Sequence, residues 1–302
     1  MKKKVTVILL AGLVIVLAAA GFMYFNPTPA RLIGRMARNL GKIRSVNAEV
    51  SVDYEGTVTI SVFGTPVEAP LTIDTDVDVE AVTQPAVSHI EGTVNGAVYG
   101  ISMDTPLECY VREEDEGNTV YMSADRVHWI RQKAKKPDAE DSSPKIDDKL
   151  VLGLIRKILS GEIRAELAKE TETICGREAY RINIGISGDI LQQILEIIYS
   201  SGNAANIPEG LDLSDAATDC ELYIYKKGNL PARFMIDCAP LGNAVMQSLM
   251  EEQDFVGTAD RFTLTATFTD FDTIDSIEIP EEVVNGAVES SDSPFGSLIP
   301  GP

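Results

Sequence analysis

Histidine, tryptophan and cysteine are scarce in this chain of 302 residues, which has two, one and four of them. No two cysteines form a C-x-x-C pair and no histidine lies close in sequence to any of them, so the spacing of a zinc site is missing. G-x-S-x-G, the P-loop and H-E-x-x-H are absent too, which removes the commonest hydrolase, nucleotide and metalloprotease chemistries. His89 falls in an expected strand and His128 beside Trp129, neither with a nucleophile in view. Paired glycosidase carboxylates cannot be picked out of 46 acids without geometry. The sequence therefore points away from an enzyme, and no cofactor or metal is expected.

Basic residues are also few, 26 Lys+Arg against 46 Asp+Glu, for a net charge of -20. The shortage is uneven. Residues 1–45 hold eight basic residues (Lys2, Lys3, Lys4, Arg31, Arg35, Arg38, Lys42, Arg44) and no acid, leaving residues 46–302 with 18 basic and 46 acidic side chains, a net -28. A surface that negative repels phosphate backbones, so nucleic acid is not an expected partner. Asp74, Asp76, Asp78 and Glu80 form a row with steps of about 6.6 Å. A straight row does not converge six oxygens on calcium, and it reads as a solvated face that discourages edge pairing. Glu113–Glu116 crowd a turn.

What is present begins at the N-terminus. After Lys2–Lys4 comes an uncharged apolar run from Val5 to Phe25, which as a helix spans roughly 31 Å, about one bilayer core. It reads as a signal-anchor, or as a signal peptide cleaved near Ala18-Ala19-Ala20. No cysteine precedes Cys109, so no thiol is available for acylation near this segment. The bulk of the chain is expected outside the membrane, on a single-pass anchor, or secreted if the segment is removed. Residues 26–45 read as a membrane-proximal helix with Thr28 and Pro29 at its start. Leu32, Ile33, Met36, Leu40 and Ile43 make its apolar stripe, and Arg31, Arg35, Arg38 and Lys42 its basic one. The basic stripe is either simply solvated or rests on anionic headgroups.

From Val46 the period falls to two. Val46, Ala48, Val50, Val52, Tyr54, Val58, Ile60 and Val62 alternate with polar residues, the pattern of a sheet with one dry face, and Gly56 marks a bend or bulge. A second strand sets Leu71, Ile73, Val77 and Val79 opposite the Asp74–Glu80 row. Further strands are expected near 87–103, 107–114, 118–123 and 126–132, broken at Asp104-Thr105-Pro106, Glu116-Gly117-Asn118 and Ala124-Asp125. Connections this short make antiparallel neighbours. A polar loop over 132–145 leads to a helix at 146–159, a hairpin turning near Gly176-Arg177 and a second helix at 189–200. Strands at 219–226, 231–238, 260–271 and 274–279 complete a single domain over 46–285, and 286–302 reads as a loose tail.

The cysteines permit a disulfide framework in an oxidising compartment. A three-residue loop at Gly228-Asn229-Leu230 would set Cys220 directly across from Cys238, within bonding range. Cys109 and Cys175 would remain as a second pair. Four buried free thiols are the alternative.

The order of elements predicts an α+β fold: a curved antiparallel sheet, or half-barrel, with helices over its concave face. This order, with Glu108-Cys109-Tyr110, Val120-Tyr121-Met122, His128-Trp129-Ile130, Leu222-Tyr223-Ile224-Tyr225, Leu230-Pro231-Ala232-Arg233 and Phe268–Glu282, resembles the LolA/LolB lipoprotein-carrier superfamily, in particular its Gram-positive and LppX-like relatives. The resemblance covers about residues 30–284 and departs from lipoprotein members in lacking the acylated cysteine. It implies a dry cleft between sheet and helices that holds a lipid, a lipoprotein or another hydrophobic ligand. Met103, Tyr110, Tyr121, Met122, Trp129, Leu154, Ile158, Ile194, Phe234, Phe262 and Phe268 are the expected lining. The competing expectation is an envelope sensor or assembly protein with a filled core that works through protein contacts.

Overall fold

The computed structural model describes residues 27–62, 65–114, 117–135, 153, 156–193, 211, 213–214, 216–250 and 256–289. The expected helices at 146–159 and 189–200 fall partly outside these residues; 156–160 and 188–193 are helical. Among the described residues no helix is long and apolar enough to cross a membrane.

Alternating β-branched and polar residues favour extended backbone, and here they build one large curved sheet that does not close. The strands are β1 (Ser45–Val62), β2 (Thr65–Thr83), β3 (Ala86–Val98), β4 (Ile101–Glu114), β5 (Gly117–Ser123), β6 (Ile130–Lys135), β7 (Arg164–Ile174), β8 (Arg177–Ile186), β9 (Thr218–Tyr225), β10 (Pro231–Asp237), β11 (Val256–Phe271) and β12 (Val288–Glu289). Their spatial order is β12-β6-β5-β4-β3-β2-β1-β11-β10-β9-β8-β7. The first strand is thus central. The chain steps outward from β1 to β6, restarts at the opposite edge with β7, and steps inward until β11 closes on β1. All pairs are antiparallel except β12 with β6.

Register assigns every side chain to one of two faces. Val50 pairs with Val77 and Ala266, Val77 with Gly92, Gly92 with Leu107, and Ala266 with Phe234, Phe234 with Leu222, Leu222 with Ile182. This is the apolar face. The opposite face carries Glu49, Ser51 and Asp53 of β1 beside Asp74, Asp76 and Asp78 of β2. The register of β1 with β11 shifts between Glu55 and Gly56, a bulge where the sequence places one.

Three expectations need correction. The third strand does not run to residue 103. The chain reverses at Tyr99-Gly100, both with positive φ (52° and 75°), the geometry of the tightest hairpin turns. Asp104 and Pro106 then sit inside β4, on a stretch (101–107) that projects past the ladder with β5, where neither interrupts that pairing. Second, 274–279 forms no strand. Residues 272–280 cross the polar face irregularly, held by Ile274 N–H to Ser45 Oγ (3.0 Å) and Arg44 N–H to Asp272 Oδ1 (2.7 Å), and lead to a short helix at Glu281–Gly286 and to β12. Third, all four cysteines are free. A register shift between Pro231 and Arg233 places Cys220 opposite Ile236, so Cys238 lies past the end of β10 and no two cysteines approach bonding distance. Cys109 is buried and Cys175 exposed in the β7–β8 turn.

Candidate functional site

The apolar face has two unlike halves. Over β7–β10 it is a packed core: Ile182 and Ile224 are 0% exposed, joined with Leu222 to Leu32 and Ile33 of the Pro29–Leu40 helix, with Met36, Ile158 and Phe234 packed against them. The helix forms because its apolar residues recur at three and four. A second helix, Ala239–Met250, sets Ala239 against Tyr54 and Ala259, with Phe262 and Ile73 beside them.

Over β1–β4 the same face is only partly covered. Val50, Val52, Val77, Val79, Ile90 and Val94 are half-buried, and none belongs to a packed cluster among the described residues. Ala48 and Cys109 reach burial there, as does Met122 on β5. A half-covered aliphatic side chain forgoes roughly 1 kcal/mol of burial, so a row of them favours an apolar guest.

Two glycines shape this half, for different reasons. At Gly92 a Cβ would collide with the Asp76 carbonyl and with Val77, so glycine is what lets β2 and β3 close. At Gly96 a Cβ would meet only the Thr72 carbonyl, at 3.9 Å. Glycine here leaves no side chain between Ile73 and Met103, its two neighbours in register. A glycine inside a strand commonly marks such an approach.

The expected lining divides between the faces. Met122, Phe234, Phe262 and Phe268 lie on the apolar face by register, and Ile158 packs onto its core. Met103 shares that face but is 70% exposed near the end of the β3–β4 hairpin, with Ile101 at 76%. Tyr110, Tyr121 and Trp129 point the other way. They are buried with Val283 beneath the 272–289 crossing, where Ile277, Ile279, Val284 and Ala287 join them. Leu154 and Ile194 lie outside the described residues. One set expected around one cleft thus belongs to two separate apolar surfaces.

The polar face brings together residues that the sequence keeps apart. His89 stacks on Tyr110 (4.4 Å between centroids) with Nε2 3.3 Å from Glu108 Oε1 and Nδ1 4.0 Å from Glu80. The Tyr110 hydroxyl donates to the same Glu108 oxygen at 2.9 Å. Burial first, then that hydrogen bond and the Glu108 charge, push the Tyr110 hydroxyl far above the usual phenol range. Tyr223, on the far half of this face, is pushed up to about 12 by burial and its bond to Glu221. At the centre lies a depression of about 250 Å³ lined by Glu49, Ser51, Asp76, Asp78, Thr265 and Thr267. Among the described residues no three His, Cys, Asp or Glu side chains are placed to hold a metal. Only pairing register could have gathered these residues, and no motif announces it.

No protein-family model matches the sequence, and no curated protein matches it. Among solved structures the chain is similar to a beta-barrel-like protein of domain of unknown function DUF1849 from Brucella abortus, at 10% identity and TM-score 0.16 over 78% of this chain and 100% of that one. It is also similar to a DUF1329 family protein from Desulfovibrio piger, at 9% identity and TM-score 0.17 over 82% and 93%.

Proposed function

We propose that this chain is a membrane-anchored, extracytoplasmic and non-catalytic binding protein that holds a hydrophobic ligand, such as an acyl chain or a lipoprotein's lipid, on the open half of its apolar face. The observation that carries the reading is the half-buried aliphatic row over β1–β4, interrupted at Gly96, where no side chain stands between Ile73 and Met103. The basic start and the apolar run to Phe25 support the anchor. Solvent extraction and mass spectrometry of the purified chain should return an apolar guest, and a fluorescent fatty acid should bind saturably. Gly96→Val places a branched side chain between Ile73 and Met103, and it should weaken that binding by about tenfold, or ~1.4 kcal/mol, with the thermal transition unchanged. An empty chain with no saturable binding ends the reading.

A second reading is an envelope sensor or assembly protein acting through protein contacts. Ile101 and Met103, 76% and 70% exposed on the projecting end of β4, favour it. Ile101→Ser, which leaves Met103 beside Gly96 untouched, would then abolish function in cells and leave fatty-acid binding intact.

A further inference from the structure

The Pro29–Leu40 helix has a second side that the hydrophobic site does not use. Its inner side is fixed: Leu32 and Ile33 are buried against Ile182, Leu222 and Ile224, and Asn39 Nδ2 donates to the Gly228 carbonyl at 2.7 Å. The apolar stripe is therefore spent on the sheet, unlike that of an interfacial helix, which lies in the lipid. The other side carries Arg31, Arg35 and Arg38, with Lys42 in the turn that follows. Steps of four, three and four place them in one line along the axis. Arg31, Arg38 and Lys42 are exposed and Arg35 is half-buried. None pairs with a carboxylate among the described residues, although residues 46–302 carry a net -28.

The charge is also polarised along the chain. Between Arg44 and Arg112 there is no lysine or arginine, while eleven Asp and Glu fall in the same stretch. This stretch spans β1 to β3 and most of β4, so a row of cations and a large acidic sector belong to one molecule.

We propose that the row Arg31, Arg35, Arg38 and Lys42 is a docking surface for the anionic headgroups of a bilayer. Charge complementarity supplies the attraction: a polybasic segment beside an anionic leaflet gains with each cation. Chain length supplies the proximity. Pro29 follows Phe25 by four residues, which reach at most about 14 Å when extended, so the row begins next to the membrane wherever the apolar run is embedded. Repulsion of the acidic sector from the same lipids fixes the sense of docking, with the cation row toward the membrane and β1–β4 away from it. This docking is independent of what the apolar face binds.

The test uses the full chain with Cys238→Ser, labelled with a fluorophore at the exposed Cys175 and reconstituted into vesicles with an acceptor on the headgroups. Cys175 is near the helix's C-terminal end, because Lys226 N–H bonds to the Glu178 carbonyl and ties the β7–β8 turn to the turn holding Gly228. Energy transfer should be higher in phosphatidylcholine with phosphatidylglycerol than in phosphatidylcholine alone, and should fall as salt is raised. Arg38→Gln should lower the docked-to-undocked ratio about fivefold, and the fourfold Arg31→Gln, Arg35→Gln, Arg38→Gln, Lys42→Gln chain should lose all response to anionic lipid. Arg38→Lys keeps the charge and should respond as the wild type does, which separates docking from a folding defect. Equal transfer in both vesicles, or a response that survives in the fourfold variant, overturns the proposal.

Discussion

The two halves of the apolar face are built from the same kinds of residue and end in opposite states. Over β8 and β9, Ile182 and Ile224 are sealed under a helix. Over β1–β3, Val50, Val77 and Ile90 stay half-covered. Strand composition does not set the difference, since both halves alternate aliphatic and polar side chains. What sits on top does. The Pro29–Leu40 helix lies on the β7–β10 half, and the crossing of residues 272–289 is spent on the opposite face. A sheet this wide needs more cover than its described helices provide, and the shortfall is gathered on one side of the centre line.

Substitutions can sharpen or break this contrast. Ile182→Ala, inside the sealed half, should cost about 4 kcal/mol in urea unfolding, by transfer and cavity together. A cost below about 1 kcal/mol would mean that this half is as loose as the other. Val283→Asp buries a charge among Tyr110, Tyr121 and Trp129 and should cost about 3 kcal/mol. Trp129 is the sole tryptophan, so its emission should shift to the red as the crossing lifts. An unshifted spectrum would free the crossing from any part in covering the polar face.

The cysteines compare the halves by chemistry. Burial pushes the Cys220 thiol of the sealed half up to about 12 and the Cys109 thiol of the open half up to about 11. Both values are raised in the fold, so the stability they reflect is complete below the ordinary thiol value. It is lost as pH rises from about 9 toward 11 for Cys109 and toward 12 for Cys220. Iodoacetamide at neutral pH should modify the exposed Cys175 first and leave Cys109 and Cys220 unmodified until the chain unfolds. Early modification of Cys109 would mark the open half as transiently unzipped. The smallest effect belongs to Val77→Ala, which should change stability by less than about 1 kcal/mol while weakening fatty-acid binding. A loss as large as that of Ile182→Ala would show that the row is already packed and has no room for a guest.

Much of the sheet was legible beforehand, because a period of two survives in any context. The even positions of β1, the Asp74–Glu80 row and the Gly56 bulge all follow from local pattern. The errors share a cause. Asp104-Thr105-Pro106 has turn chemistry, but the turn falls at Tyr99-Gly100, where an aromatic residue takes a left-handed conformation that sequence statistics disfavour. Ile277 and Ile279 alternate as a strand would, yet both sit in an irregular crossing whose apolar side chains seek Val283 and Trp129. The candidate lining suffered most. Tyr110 and Met122 look alike as apolar strand residues, and only the register Cys109↔Met122 with Tyr110↔Tyr121 assigns them to different faces. One residue of slip exchanges the faces, and nothing local in a sequence fixes a slip of one.

The pairing of β1 with β11 has a consequence for biogenesis. Val46 meets Phe271 and Tyr54 meets Phe262, so the first strand to emerge receives one of its neighbours only after more than two hundred further residues have been made. Through that delay a long hydrogen-bonding border, aliphatic on one side, stands unprotected, and such borders recruit unwanted strands. Production should accordingly depend on holding chaperones at the place of emergence. A circular permutant that makes β11 and β1 consecutive, with new termini in the connection between β6 and β7, should reach its native state with less aggregate.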